Sequence, residues 1–227
     1  MKIELHLHTA ENDLCAHVPA AEAMRMYKAA GYDAVVVTDH YFSLFFDDWF
    51  AGELAGKTQA QRTERWLRGY RAAKEEGDRI GLTVLPGAEV RFDGASVNDY
   101  LLYGVDEAFF FRAPPLCRLS GPAALRELLP ADAVMVQAHP FRDNMTVRPP
   151  SDTDGIEIYN GGTEPYRNEM ARAFAAHYGV GIRTSGSDFH APAHLGRGGI
   201  LTETEIHTPQ ALARTLRQGT FTCIETR

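Results

Sequence analysis

Apolar runs of strand length alternate along the chain with segments of helical period. "KIELHLH" alternates polar and apolar residues, and "PAAEAMRMYKAAGY" follows it with Ala20, Ala23, Met24, Tyr27 and Ala30 or Gly31 near one helical face. "DAVVVTDH" reads as the next strand, a polar helix is expected over roughly Thr63 to Arg79, and "LTVLPGAEV" and "DYLLYGV" continue the strands. Beyond them "GPAALRELLP" precedes "AVMVQAHP", and "GIEIYN" precedes a helix over about Glu164 to Tyr178, with Thr163 as a candidate cap. After "GIRTSGSDFH" and "GGILTETEI" comes the helix "TPQALARTLRQG", with Thr208 as N-cap and Gly219 as C-cap, and then "TFTCIET". Alternating βα units with nearly continuous apolar strands predict an α/β fold in which helices cover a parallel sheet. Seven or so such units favour a closed or distorted barrel over an open sheet, in one domain over residues 1–227. One stretch departs from the alternation. The aromatic-rich insertion at 41–57, "YFSLFFDDWFAGELAGK", reads either as a flap packed on the fold or at an oligomer interface, or as a lid over the substrate.

Composition narrows the class. At 227 residues, 44% hydrophobic and 23% charged, the chain can bury a full core. Its net charge of -7 opposes an electrostatic grip on a nucleic-acid backbone. Cys15, Cys117 and Cys223 are too scattered for a disulfide framework or a Cys-pair metal site, which fits a reducing compartment. No leader-like segment and no 18-residue apolar run is present, so the expected location is the cytoplasm.

Chemistry-bearing residues gather at strand ends. In parallel βα folds that rim carries the catalytic groups. His6 and His8 close the first strand, Asp39 and His40 the second, Glu89 the third, His139 a later one, and Asp188 with His190 the last of the set. The other four histidines, His17, His177, His194 and His207, fall in loops or helices. A lone histidine is ordinarily a hydrogen-bonded core residue, but burying five imidazoles with several carboxylates on one rim is very costly without a cation. Residues i and i+2 of a strand point to one face, so His6 and His8 can chelate one ion, and Asp188 with His190 repeats the spacing. Imidazole mixed with carboxylate suits zinc, manganese or iron.

The pattern His-x-His-Thr-x-x-x-Asp at 6–13, Thr-Asp-His at 38–40, Gly-x-Glu at 87–89, Ala-His-Pro at 138–140 and Gly-Ser-Asp-x-His at 186–190 resembles the PHP (polymerase and histidinol phosphatase) superfamily of metal-dependent phosphoesterases. The resemblance covers most of the chain in order. It implies a distorted (β/α)7 TIM-like barrel with a two- or three-metal centre at its rim. His6, His8, Glu89 and Asp188 would hold one ion, Glu89 would bridge to a second bound by His139, and Asp13, His40 and His190 would hold a third. Many family members carry a further histidine where this chain has Asn98 and Asp99. Asp99 is the expected oxygen ligand there and Asn98 the alternative, while Asp39 is expected to orient a histidine.

The implied chemistry is hydrolysis of a small phosphorylated metabolite at two or three divalent ions, with Glu89 and Asp188 central to catalysis. Arg142 and Arg197, and less directly Arg91, are candidate clamps for phosphoryl oxygens, and His194 is a candidate leaving-group acid. Cys15 lies near Asp13 but has no base tied to it by sequence, so a cysteine nucleophile is not expected. Two other readings remain: hydrolysis of a C–N or C–O bond by the same cluster, and a metal-binding PHP module without catalysis. Oligomeric state and substrate identity are not readable from the residues.

Overall fold

The computed structural model describes residues 1–94 and 96–226. Strand β1 (Lys2–Leu7) is followed by α1 (Ala20–Ala29), β2 (Ala34–Val37) and the short β3 (His40–Tyr41). A wide helical turn at Phe45–Trp49 leads into α2 (Ala51–Leu54), α3 (Gln59–Trp66) and α4 (Arg68–Ile80). Strands β4 (Thr83–Pro86), β5 (Ala88–Arg91) and β6 (Asp99–Tyr103) come next, then α5 (Glu107–Arg112), α6 (Pro122–Leu128) and β7 (Val134–Gln137). The last units are β8 (Gly155–Asn160), α7 (Pro165–His177), β9 (Ile182–Gly186), β10 (Gly198–Leu201), α8 (Pro209–Gln218) and β11 (Thr222–Glu225).

The fold is α/β, but the sheet is neither single, nor all parallel, nor closed. Five strands pair in the order β11-β10-β1-β2-β4 and six in the order β3-β5-β6-β7-β8-β9. Four antiparallel contacts inside this set, β1 with β10, β10 with β11, β5 with β6 and β6 with β7, interrupt the expected parallel ladder. The two sheets meet at two seams made of isolated bonds. On one side His8 N donates to Phe189 O and Phe189 N to His6 O, both at 3.1 Å; on the other Gly87 N donates to Val37 O at 2.9 Å and Glu89 N to Asp39 O at 3.2 Å. The expected closed barrel is thus corrected to two abutting mixed sheets.

Gly87 explains one of the seams. The stretch read as one strand, "LTVLPGAEV", breaks there, with β4 in the first sheet and β5 in the second. A Cβ at this position would stand 2.8 Å from both Leu102 O and Val36 Cγ1, so only glycine lets the chain cross between the sheets. The polar helix predicted over Thr63 to Arg79 is also two helices, divided at Leu67. Its first half begins four residues earlier, at a Thr58/Gln61 capping box. Thr208 and Gly219 cap α8 as expected. Thr163 does not cap α7: its hydroxyl lies near Asn160 O and Asn168 Oδ1, and Glu164 precedes the helix.

Apolar side chains fill both the space between the sheets and the layer under the helices. Ile3, Leu5, Val36, Leu101, Tyr103 and Val136 pack in the interior cluster, while Leu7, Val35 and Val37 pack outward against Met24 and Tyr27 of α1. Most of the aromatic insertion is core as well: Phe45, Phe46 and Leu54 are buried with Trp66, Val90 and Phe110. Among the described residues no helix is long and apolar enough to cross a membrane.

Candidate metal centre

The first histidine pair reaches the interior through a bulge. Residues Glu4 and Leu7 of β1 pair with Val35 and Val37 of β2, so three steps on β1 match two on β2. Glu4 points toward α1, where its Oε2 accepts from the Tyr27 hydroxyl at 2.9 Å, and its Oε1 accepts from His6 N at 2.9 Å and Ser187 N at 2.8 Å. Burial pushes the Glu4 carboxyl up to about 7 despite these donors. The extra residue inverts the alternation, so Leu7 packs outward and His6 and His8 turn inward.

His40 comes from β3, Glu89 from β5, and Asp99 from the start of β6, which reaches the same rim because β6 runs antiparallel to its neighbours. His139 follows β7 and Asp188 follows β9, each in left-handed backbone, with φ of 25° and 51°. Such conformations are unfavourable for these residue types and mark a site held by its surroundings.

Glu89 is the hub. Its Oε1 lies 2.9 Å from His139 Nε2 and 3.5 Å from His6 Nε2, and its Oε2 lies 2.9 Å from His40 Nε2 and 3.4 Å from His8 Nε2. Asp188 Oδ1 faces it, 3.5 Å from the Nε2 atoms of both His6 and His8 and 3.3 Å from His190 Nδ1. Every one of these side chains is buried except that of His190, which is 19% exposed. His6 Nε2, His8 Nε2, Asp13 Oδ1 and Asp188 Oδ1 are buried with no hydrogen-bond partner. Buried polar atoms are seldom left so, and three of these, His6 Nε2, His8 Nε2 and Asp188 Oδ1, converge beside Glu89, which fits a cation.

Charge in the cluster is strongly polarised. Burial opposes ionisation of Glu89 and Asp188, but His6 and its neighbouring imidazoles outweigh it and hold both carboxyls well below the usual range. Burial likewise opposes charge on His6, yet Asp188, Glu157 and Glu89 raise it well above the ordinary histidine value. His190, desolvated but bonded to Asp188, is raised to about 10, whereas burial and the neighbouring His40 and His190 lower His8.

Comparison with known proteins agrees with this fold. The PHP-associated family model matches residues 165–221. Two solved structures each align with 99% of the chain. One is a two-domain Bacteroides vulgatus protein described as containing a predicted PHP-like metal-dependent phosphoesterase, at TM-score 0.67 and 16% identity; the other is PsfC from Pseudomonas syringae, at 0.65 and 18%. The chain spans 64% of the first and 91% of the second. The fold is one shared with proteins described as PHP-like. An amidohydrolase from Chromobacterium violaceum, solved with bound sulfate and no metal, shares the fold at TM-score 0.56 and 16% identity over 98% of both chains. No curated protein matches the sequence.

Several residues in this chain stand differently from what the motifs suggest. Asp39 orients no histidine: its carboxylate accepts from Thr9 N at 2.7 Å, Thr9 Oγ1 at 2.9 Å and Asn12 Nδ2 at 2.8 Å, fixing the loop after β1. That orienting position belongs to Asp13, whose Oδ2 accepts from His8 Nδ1 at 2.7 Å and lies 3.0 Å from His40 Nδ1, leaving both Nε2 atoms toward Glu89. Asn98 is tied to the backbone of Thr146 by two bonds, at 2.7 and 2.8 Å, and does not enter the cluster. Arg142 is brought to the mouth, 3.5 Å from Asp99 Oδ2 and 3.8 Å from Asp188 Oδ2. Arg197 is not: its guanidinium donates to Gly161 O at 2.9 Å on the flank. His194 stands behind His190, with Nδ1 accepting from His190 N at 3.2 Å. Cys15 Sγ lies 3.9 Å from His40 Nδ1.

Glu157 escaped the motif reading. Its Oε1 accepts from His6 Nδ1 at 3.0 Å, and its Oε2 accepts from His139 N and Asn160 Nδ2, both at 2.9 Å. The only sequence signal was a carboxylate inside the apolar strand "GIEIYN".

Proposed function

We propose that this chain, acting as a single unit, is a metal-dependent phosphoesterase that hydrolyses a small phosphorylated metabolite. The observation that carries the reading is the convergence of four imidazole Nε2 atoms on the two oxygens of Glu89, opposite the unpartnered Oδ1 of Asp188. His6, His139, Glu89 and Asp188 would hold one divalent ion and His8, His40, His190 with the other Glu89 oxygen a second; zinc, manganese and iron all suit this donor set. Bound cations of this kind polarise a phosphoryl oxygen and bring the pKa of water at the centre toward neutrality.

The surrounding side chains supply the rest. Arg142 at the mouth offers guanidinium donors to a non-bridging oxygen. Phe42 packs tilted against the His40 ring at 4.2 Å and Trp49 lies edge-on at 6.4 Å, so the insertion both fills core and shields one side of the centre from water. His194 is half-buried and its imidazole is lowered by that burial and by Arg197, which makes it a neutral side chain available for proton transfer near His190. With a net charge of -7, small molecules rather than nucleic acid are the expected partners, and the expected location is the cytoplasm.

Elemental analysis of purified protein, together with hydrolysis of an aryl phosphate in added manganese or zinc, tests the reading. Two or more metal equivalents and turnover inhibited by inorganic phosphate are expected. His6→Ala with His8→Ala should abolish both while leaving the circular dichroism of the fold. The amidohydrolase likeness favours a second reading, hydrolysis of a C–N bond. Metal-loaded protein that hydrolyses no phosphate ester and ignores inorganic phosphate would favour it, or a non-catalytic metal-binding module. Protein that takes up no metal would overturn the metal centre itself.

A further inference from the structure

The corner of the site formed by Glu89, Asp99 and His139 is the one place where a permanent cation already stands. In the antiparallel ladder of β5 and β6, Arg91 is the direct cross-strand partner of Asp99. Their side chains meet in a bidentate pair, Nε to Oδ1 at 2.6 Å and Nη2 to Oδ2 at 2.7 Å. Asp99 is fully buried, whereas Arg91 keeps 26% of its side chain exposed, with its guanidinium 4.2 Å from the centroid of the Phe42 ring. Arg142 Nη2 approaches the same Asp99 Oδ2 from the other side, at 3.5 Å. His139 Nε2 is farther from that oxygen, at 3.9 Å.

The geometry points to a different role for Asp99 from the metal ligand that the motif implies. We propose that Asp99 anchors Arg91 as an anion-binding residue, and that Arg91 and Arg142, joined through its carboxylate, receive the substrate's phosphoryl group. This inference rests on the phosphoesterase reading. Both carboxylate oxygens already accept charge-assisted bonds in the fork geometry that matches guanidinium to carboxylate, and the pairing is set by the strand register, not by a flexible contact. A guanidinium cannot give up its proton, so a metal ion ligated by Asp99 would share that carboxylate with a fixed positive charge. Two guanidinium groups against one carboxylate leave an excess of positive charge and free donors at the mouth, which is what a phosphoryl group needs. Stacking on Phe42 holds the Arg91 plane without consuming its outward donors.

The test compares Asp99→Asn, Arg91→Met and the double variant with the wild type. Metal equivalents are counted by elemental analysis, inorganic phosphate binding is measured by calorimetry, and KM and kcat are measured on an aryl phosphate. Asp99→Asn should keep its full metal complement while phosphate binding weakens about tenfold, and KM should rise more than kcat falls. Arg91→Met should do the same, and the double variant should be no worse than Arg91→Met alone, because both changes remove one device. Arg91→Lys, which keeps the charge but not the fork, guards against misfolding and should recover part of the binding. Loss of a metal equivalent in Asp99→Asn would overturn the proposal by making Asp99 a ligand. Wild-type phosphate binding that survives Arg91→Met would overturn it by making the pair merely structural. A wild type that neither hydrolyses aryl phosphate nor binds phosphate sinks the phosphoesterase reading and the anion-binding half with it, while the metal count still decides whether Asp99 is a ligand.

Discussion

Single side chains in this protein act by fixing one another's protons. Glu157 holds His6 through Nδ1 and the His139 backbone through its other oxygen, so one carboxylate aims two imidazoles. Glu157→Gln keeps the size but puts an amide N–H where an acceptor is needed, and metal affinity should fall about 10- to 100-fold, as measured by competition with a chelator. Cys15 offers a pH readout of the same neighbourhood. Burial raises its thiol, but hydrogen bonds with His190 and His40 prevail and lower it to about 7. Below that pH the thiol is protonated and unreactive, and above it the thiolate dominates. In chelator-treated protein, alkylation of Cys15 should therefore rise through a midpoint near pH 7. Cys117 and Cys223, which burial pushes up to about 12, should stay unmodified at pH 8.

At the scale of elements, two bulges and a glycine compose the floor of the site. The bulge of β1 turns His6 and His8 inward, and a second in β8 matches Glu157 and Tyr159 with consecutive residues of β9. Gly186, at the end of β9, sits against both: an added Cβ would overlap the Cβ of His6 and stand 2.8 Å from Glu157 Oε1. Gly186→Ala should thus displace His6 and cost about 1–3 kcal/mol of stability through overpacking, with loss of metal exceeding loss of fold. Denaturant melts read beside metal content distinguish the two effects. The motif Gly-Ser-Asp-x-His marked this glycine, but not the reason for it.

For the molecule as a whole, the cluster couples folding to the cation. It gathers the carboxylates of Asp13, Glu89, Asp188 and Glu157 with five imidazoles in a buried space, and a bound ion stabilises only the folded arrangement. At an ion concentration a thousand times Kd the stabilisation is ~4 kcal/mol. In a protein of this size that corresponds to about 10 °C in melting temperature. Chelation followed by dialysis should lower the midpoint by about that much, and readdition of manganese or zinc should restore it. An unchanged midpoint would mean that the site is not loaded by these ions.

The sequence by itself determined the α/β alternation, the strand-end placement of His6, His8, His40, Glu89, His139, Asp188 and His190, and the caps of α8, because each follows from a local period or a local backbone preference. Tertiary structure decided what local period does not encode. Whether the sheet closes depends on strand pairing across the chain, and at Gly87 the chain passes from one sheet to the other. The orienting duty expected of Asp39 falls to Asp13, 26 residues away, because the loop after β1 folds back onto His40. Glu157 and Arg91 enter the site through pairings with residues 151 and 8 positions away. No periodicity links such residues; only the register of strands and the exclusion of water from the space between them do.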